Sequence, residues 1–210
     1  MKLTKTIIWL SISISLSAYG QTNSWIEFMG GKRATYTTTG NPKAKGLEVI
    51  IDYPISWSGA DGKQPNTLYQ VTSKNGRGLE LCNLSIKEIP LPAGYSVTAQ
   101  DISELFEPPN LKNLAPSGSQ FISGAKTTFD GQPAGWLQFS QEMNRAGIQL
   151  QMMWLTYTIY FDKKLIIFGC GVGDSASKST EELQRRYKEY FPLFQEMAKN
   201  LVIHRPHKAQ

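Results

Sequence analysis

Histidine is almost missing from this chain. Of 210 residues only two are His, at positions 204 and 207, within the last seven. The body therefore offers no imidazole as general base, partner of a nucleophile or metal ligand, and Ser-His-Asp hydrolysis, Cys-His catalysis and His-ligated zinc lose their central group. Cysteine is nearly as scarce, with Cys82 and Cys170 alone, too few for a thiolate metal site. No loop of alternating Asp and Asn ending in Glu is present for calcium, and no glycine loop carries the lysine of a P-loop. Long apolar runs are also lacking. The longest candidate lies near the start, where Ser11, Ser13, Ser15 and Ser17 interrupt it well short of the roughly 20 residues that cross a bilayer.

That first segment has a different meaning. Lys2 and Lys5 precede an apolar stretch over 7–16, and Ala18-Tyr19-Gly20 supplies small residues at the −3 and −1 positions. This is the pattern of a secretory leader cut between Gly20 and Gln21, without the Arg-rich character of an organelle transit peptide. The expected location is the periplasm or the exterior, with no stable membrane span after cleavage. No cysteine follows the small residues, so the lipid-attachment site of bacterial lipoproteins is absent. Removing residues 1–20 takes two lysines and no acid, leaving 20 basic against 17 acidic residues, a net charge of +3. The basic residues fall in short pairs, Lys32-Arg33, Lys163-Lys164 and Arg185-Arg186, rather than in a stripe that could track phosphates. Nucleic acid is not an expected partner, and a solvated surface accounts for the pairs.

Export makes Cys82 and Cys170 candidates for one disulfide, because an oxidising compartment permits it and no thiol is left over. In the chain-entropy account a bridge closing so long a loop contributes on the order of 4 to 5 kcal/mol. Two buried free thiols in separate core positions remain the alternative.

Residues 21–45 mix Thr, Gly, Lys and Asn with a few large groups and read as a loosely structured arm, with at most one short strand paired to the body. From Leu47 the pattern changes. Leu47-Glu48-Val49-Ile50-Ile51-Asp52-Tyr53 is a strand ended by Pro54. Strands over 67–73 and 79–89 flank Asn75-Gly76, a hairpin signal. A short helix should start at Thr98, with Asp101 answering it, and stop at Pro108-Pro109. Four more strand-like runs, over 120–129, 134–143, 149–161 and 165–172, are separated by hairpin-length turns and so form an antiparallel meander. The last element is the clearest helix. Ser179 caps it, and Leu183, Tyr187, Tyr190, Phe194, Met197 and Leu201 recur at steps of three and four, demanding a sheet face to cover. Pro192 within it removes one helical hydrogen bond and predicts a bend.

The order of elements and three local sequences resemble the PsbP-like superfamily, which includes the photosystem II extrinsic protein PsbP, the Ran-binding Mog protein and many exported bacterial proteins. The matching residues are Tyr53-Pro54-Ile55-Ser56-Trp57, Phe129-Asp130-Gly131-Gln132-Pro133-Ala134 and the closing amphipathic helix, spanning 46–202. The resemblance implies an α+β fold, an antiparallel sheet of six or seven strands with a short helix and a long C-terminal helix packed on its faces as an α/β/α sandwich. It implies a binding or assembly role and carries no catalytic residue onto this chain. The expected organisation is a leader at 1–20, an arm at 21–45, one domain at 46–202 and a mobile tail at 203–210 holding both histidines.

Chemistry is thinly signalled. Gly169-Cys170-Gly171-Val172-Gly173-Asp174 has Asp where a dinucleotide fingerprint needs Gly, so the glycines read as sites of close backbone approach. Ser177-Lys178 is the one neighbouring Ser–Lys pair of note, and the 17 acids offer no distinguishable catalytic couple. Trp57 reads as covering a core edge. An exposed Trp57 beside Asp61 and Lys63 would instead form an interaction surface. In the run Met152 to Phe161 large groups alternate onto both faces of the strand. Helices on both sides explain this; the alternative is one incompletely covered face that serves as a groove for a peptide, lipid or protein. The sequence thus points to a non-catalytic exported binding or assembly-accessory protein of a bacterial envelope, without cofactor and with another envelope protein as partner. A hydrolase using carboxylates or the Ser–Lys pair is the second reading.

Overall fold

The computed structural model describes residues 22–74, 79–91, 93–145, 147–175 and 179–204. The expected leader, the Asn75-Gly76 turn, Ser177-Lys178 and His207 lie outside the described residues.

The segment expected to be a loose arm is organised. Thr22 caps helix α1 (Asn23–Met29), its hydroxyl accepting from the Trp25 amide. Strand β1 (Arg33–Thr37) follows and pairs antiparallel with β2 (Glu48–Pro54). A helix of seven residues is too short to persist on propensity alone. Burial fixes it instead, since Phe28 is completely enclosed in the core. Of the sparse large residues in this polar stretch Phe28 is the anchor, with Trp25 and Tyr36 packed beside the core, while Ile26 and Met29 stay exposed.

After Pro54 the chain turns into β3 (Trp57–Asp61), β4 (Thr67–Ser73) and β5 (Leu79–Glu88), then α2 (Ala99–Leu105) and α3 (Pro108–Leu111). Thr98 and Asp101 close a reciprocal capping box on α2 as the spacing predicted. Pro108-Pro109 does not simply stop that helix: it occupies the first turn of α3, where proline's missing N–H costs nothing. Four long strands come next, β6 (Ser119–Phe129), β7 (Gln132–Arg145), β8 (Ile148–Phe161) and β9 (Lys164–Ser175). Helix α4 (Thr180–Lys199) and the short strand β10 (Val202–His204) complete the fold.

The main sheet has seven antiparallel strands in the order β3-β4-β5-β9-β8-β7-β6. A second sheet, unexpected from the sequence, places β2 between β1 and β10. Its existence corrects the tail expected from 203 onward. Ile203 is buried, and His204 stands opposite Glu48 in the ladder. A three-residue strand carries too little pattern to be seen in isolation.

The architecture is α+β, with a core on each face of the seven-stranded sheet. On the first face Leu155, Ile159 and Phe161 of β8 join Cys170, Val172 and the α4 stripe. On the second, Met152 and Trp154 meet Phe106, Leu111 and Leu137 beneath α2 and α3. The alternation in β8 therefore reports a strand sandwiched between helices. Gly169, Gly171 and Gly173 stand opposite Thr156, Trp154 and Met152 on that second face. A Cβ on Gly171 would lie 2.8 Å from the Trp154 ring, and one on Gly173 would lie 2.1 Å from Met152 Sδ. The glycine series is thus a bare track on which large side chains of β8 lie flat, within a strand and not in a phosphate loop. Cys82 and Cys170 oppose each other on the first face, Cα atoms 4.0 Å apart, and are bonded. Helix α4 remains helical through Pro192.

Candidate functional site

In antiparallel ladders directly opposed residues share a face, so the register sorts the first face into rows. Ala134 of β7, Ile159 of β8 and Ile166 of β9 form one apolar row, and Trp136, Tyr157 and Phe168 the next. Then the β7 end of each row turns polar. Gln138 opposes Leu155, Ser140 opposes Met153, and Glu142 opposes Gln151. Helix α4 covers β8 and β9 but stops short of this polar corner.

A cavity of about 780 Å³ fills the space between α4 and the β6–β8 part of the sheet, within the range of small-molecule and peptide pockets. Met153, Leu183, Tyr187, Phe191 and Ile122 supply its apolar lining. Gln120, Gln138, Ser140 and Gln151 rise from three neighbouring strands, while Gln184 and Gln195 face them from the helix. The helical wall extends from Thr180 to Gln195, about 22 Å at 1.5 Å per residue.

The hydrogen bonding of these groups is uneven. Tyr187 donates to the Trp154 carbonyl at 3.2 Å and packs at a tilt against Phe191, ring centres 5.8 Å apart. Burial pushes the phenol of Tyr187 well above the ordinary tyrosine range, and burial is also the chief cause of the raised value at Tyr157, which bonds Gln195. Both rings are therefore neutral, and Tyr187 is a fixed part of the wall. The amides of Gln120, Gln138, Gln151 and Gln184 make no side-chain hydrogen bond among the described residues, nor does Lys188 form an ion pair there. Among the described residues Lys188 is the one charged member of the cavity lining. Pro192, also in the wall, has no N–H for the Lys188 carbonyl four residues before it.

A second polar cluster lies on the opposite side of α4. Arg186, 3% exposed, donates to Asp174 at 2.9 Å and to Glu80, which is fully buried. The sequence treated Arg185-Arg186 as a solvated pair. A helix turns 100° per residue, so Arg185 faces out and pairs with Glu182 and Glu189, whereas Arg186 points into the sheet. Glu80 and Asp174 are not an exposed catalytic couple. They grip one arginine under the helix, and Glu80 meets no solvent.

The proposed Trp57, Asp61 and Lys63 surface does not assemble. Trp57 is 3% exposed, its indole Nε1 donating 3.0 Å to Ser24 Oγ, while Asp61 and Lys63 are exposed at the far end of β3 and beyond it. α1, the helix not foreseen in the sequence, supplies the partner that buries it. Conversely, the sequence offered a groove on one face of the run Met152 to Phe161 only as an alternative, and Met153 of that run does line one, but its polar residues were missed because Gln120, Gln138 and Gln151 are dispersed in sequence and only strand register brings them together. One signal was available: β7 alternates Ala134, Trp136, Gln138, Ser140 on one face, an apolar pattern that fails halfway. No group of His, Cys, Asp and Glu among the described residues is arranged to hold a metal ion.

No family model matches the chain, and no curated protein matches it. Solved structures similar to it include cyanobacterial PsbP (CyanoP) from Synechocystis sp. PCC 6803, with 18% identity over 82% of this chain and 93% of that one and a TM-score of 0.46. LpqN of Mycobacterium tuberculosis, described as involved in cell envelope biogenesis, has 15% identity over 88% and 98% and a TM-score of 0.44. The Ran-binding protein Mog1p of Saccharomyces cerevisiae has 9% identity over 81% and 94% and a TM-score of 0.47. These likenesses concern the fold.

Proposed function

We propose that this protein is a non-catalytic, exported binding or assembly-accessory protein of a bacterial envelope that takes its ligand in the groove beside α4. The observation that carries the reading is the groove's composition: an apolar floor ringed by four amides without side-chain hydrogen bonds among the described residues. Gln120 and Gln184 are exposed and Gln138 and Gln151 half-buried, so all four are free to exchange water for the polar groups of an occupant. Export is supported by the leader pattern of residues 1–20 and by the Cys82–Cys170 bond, which suits an oxidising compartment. No helix among the described residues is long and apolar enough to cross a membrane.

The test is a photo-crosslinking residue at Gln184 in the full chain expressed in its own host. A discrete adduct is expected, lost when Ser140→Trp plugs the groove and retained when Lys87→Ala changes a distant strand. Absence of any adduct specific to position 184 would remove the groove as the binding site. An adduct that survives the plug would do the same.

A further inference from the structure

We infer that the occupant of the groove is an extended peptide segment of six or seven residues, with apolar side chains toward the floor and at least one acidic side chain for Lys188. This inference rests on the groove being the binding site.

Shape is the first ground. The helical wall of about 22 Å is long for the enclosed volume, and an extended chain at about 3.3 Å per residue covers it in six or seven residues. Hydrogen-bond chemistry is the second. An acyl chain would fill the apolar floor but offer no hydrogen bond to the half-buried Gln138 and Gln151, which a peptide can bond in place of water. A peptide offers an N–H and a C=O at every residue, and a primary amide both donates and accepts, so each glutamine can bond main chain of any side-chain identity. Pro192 adds to this: without its N–H, the Lys188 carbonyl lacks its ordinary helical donor and can accept from a peptide amide.

Charge is the third ground. Lys188 is exposed and, among the described residues, has no ion-pair partner and is the one charged residue of the cavity lining. Its potential selects a carboxylate and disfavours Lys or Arg at the facing position. The neighbouring Glu182–Arg185–Glu189 group is paired on an outer face of α4, and Glu142, opposite Gln151 beside the β7 end of the groove, confines the attraction for a carboxylate to the Lys188 end.

The experiment pans randomised seven-residue peptides against the mature, oxidised protein and measures the enriched sequences by titration. Expected are apolar residues at alternate positions with one Asp or Glu. Lys188→Glu, on an exposed position that leaves the fold intact, should weaken the acidic consensus at least about tenfold and shift enrichment toward Lys or Arg. Ser140→Trp should abolish binding. Enrichment that ignores both variants, or no enrichment, overturns the inference. Binding of cis-parinaric acid that Ser140→Trp abolishes, with no peptide enriched, overturns the peptide and leaves the groove reading standing. Failure of both probes and of the crosslink at Gln184 overturns both.

Discussion

The two flanks of α4 face the same sheet and have opposite characters. On the β5 side the helix is roofed by the small sheet and α1. Trp57 packs at a tilt against Tyr190 with ring centres 6.4 Å apart, and Arg186 reaches Glu80 and Asp174. Nearby, Tyr36 and Tyr69 stack at 3.8 Å. Polar atoms there mostly find protein partners, down to the indole N–H on Ser24. On the β7 side no described segment roofs the helix. The floor is apolar, and among the described residues its amides make no side-chain hydrogen bond. One helix thus serves as a core element on one side and as the wall of a groove on the other. The contrast shows that an amphipathic stripe says how much of a helix is apolar, not which part of it the fold will cover.

Four substitutions or conditions can break or sharpen that contrast. The largest effect should come from Arg186→Leu, which leaves Glu80 buried without its cation. A loss of about 3–5 kcal/mol is expected in urea unfolding, and a change under 1 kcal/mol would mean that the covered flank tolerates an unpaired charge. Ser24→Ala should cost about 1–3 kcal/mol, because the Trp57 N–H loses its acceptor in the core. A tryptophan fluorescence shift should accompany it.

Alkaline titration reaches both flanks. Burial raises the phenols of Tyr187 in the groove wall and Tyr190 on the covered side above the ordinary value near 10. The folded state therefore holds these protons more tightly than the unfolded chain. Their contribution is intact below about pH 10 and is lost as pH rises past it toward the folded values. Melting temperature should decline from about pH 10 upward, and Tyr187→Phe and Tyr190→Phe should each flatten the decline. A flat profile in the parent protein would contradict the burial of both rings. The smallest stability effect should come from Gln138→Ala, within about 0.5 kcal/mol, since no protein hydrogen bond is lost. Its effect should appear in ligand affinity instead. A large stability loss would show that the amide serves the fold.

Much of the fold was legible in the residues. The β6–β9 meander, the capping box of α2 and the stripe of α4 announce themselves through periods of 2 and 3.6, because each is long enough for repetition to outweigh accident. α1 and β10 were not legible. Seven and three residues contain too little repetition, and both exist because Phe28 and Ile203 find a core that other segments built. The Trp57 reading shows the same limit, since whether it is a surface anchor or core depends on a helix lying thirty residues upstream.

What the sequence determined alone was local and periodic: near absence of imidazole, a leader pattern, the strands and helices with their apolar faces, and two cysteines without rivals. Tertiary structure decided everything that needs register. It set Cys82 opposite Cys170, turned Arg186 inward while its neighbour stayed in water, and aligned Gln120, Gln138 and Gln151 across three strands into one groove. The physical reason is that side-chain periodicity fixes which face a residue takes along its own element. Which residues share that place from other elements is fixed only when the strands pair and the helix settles on them.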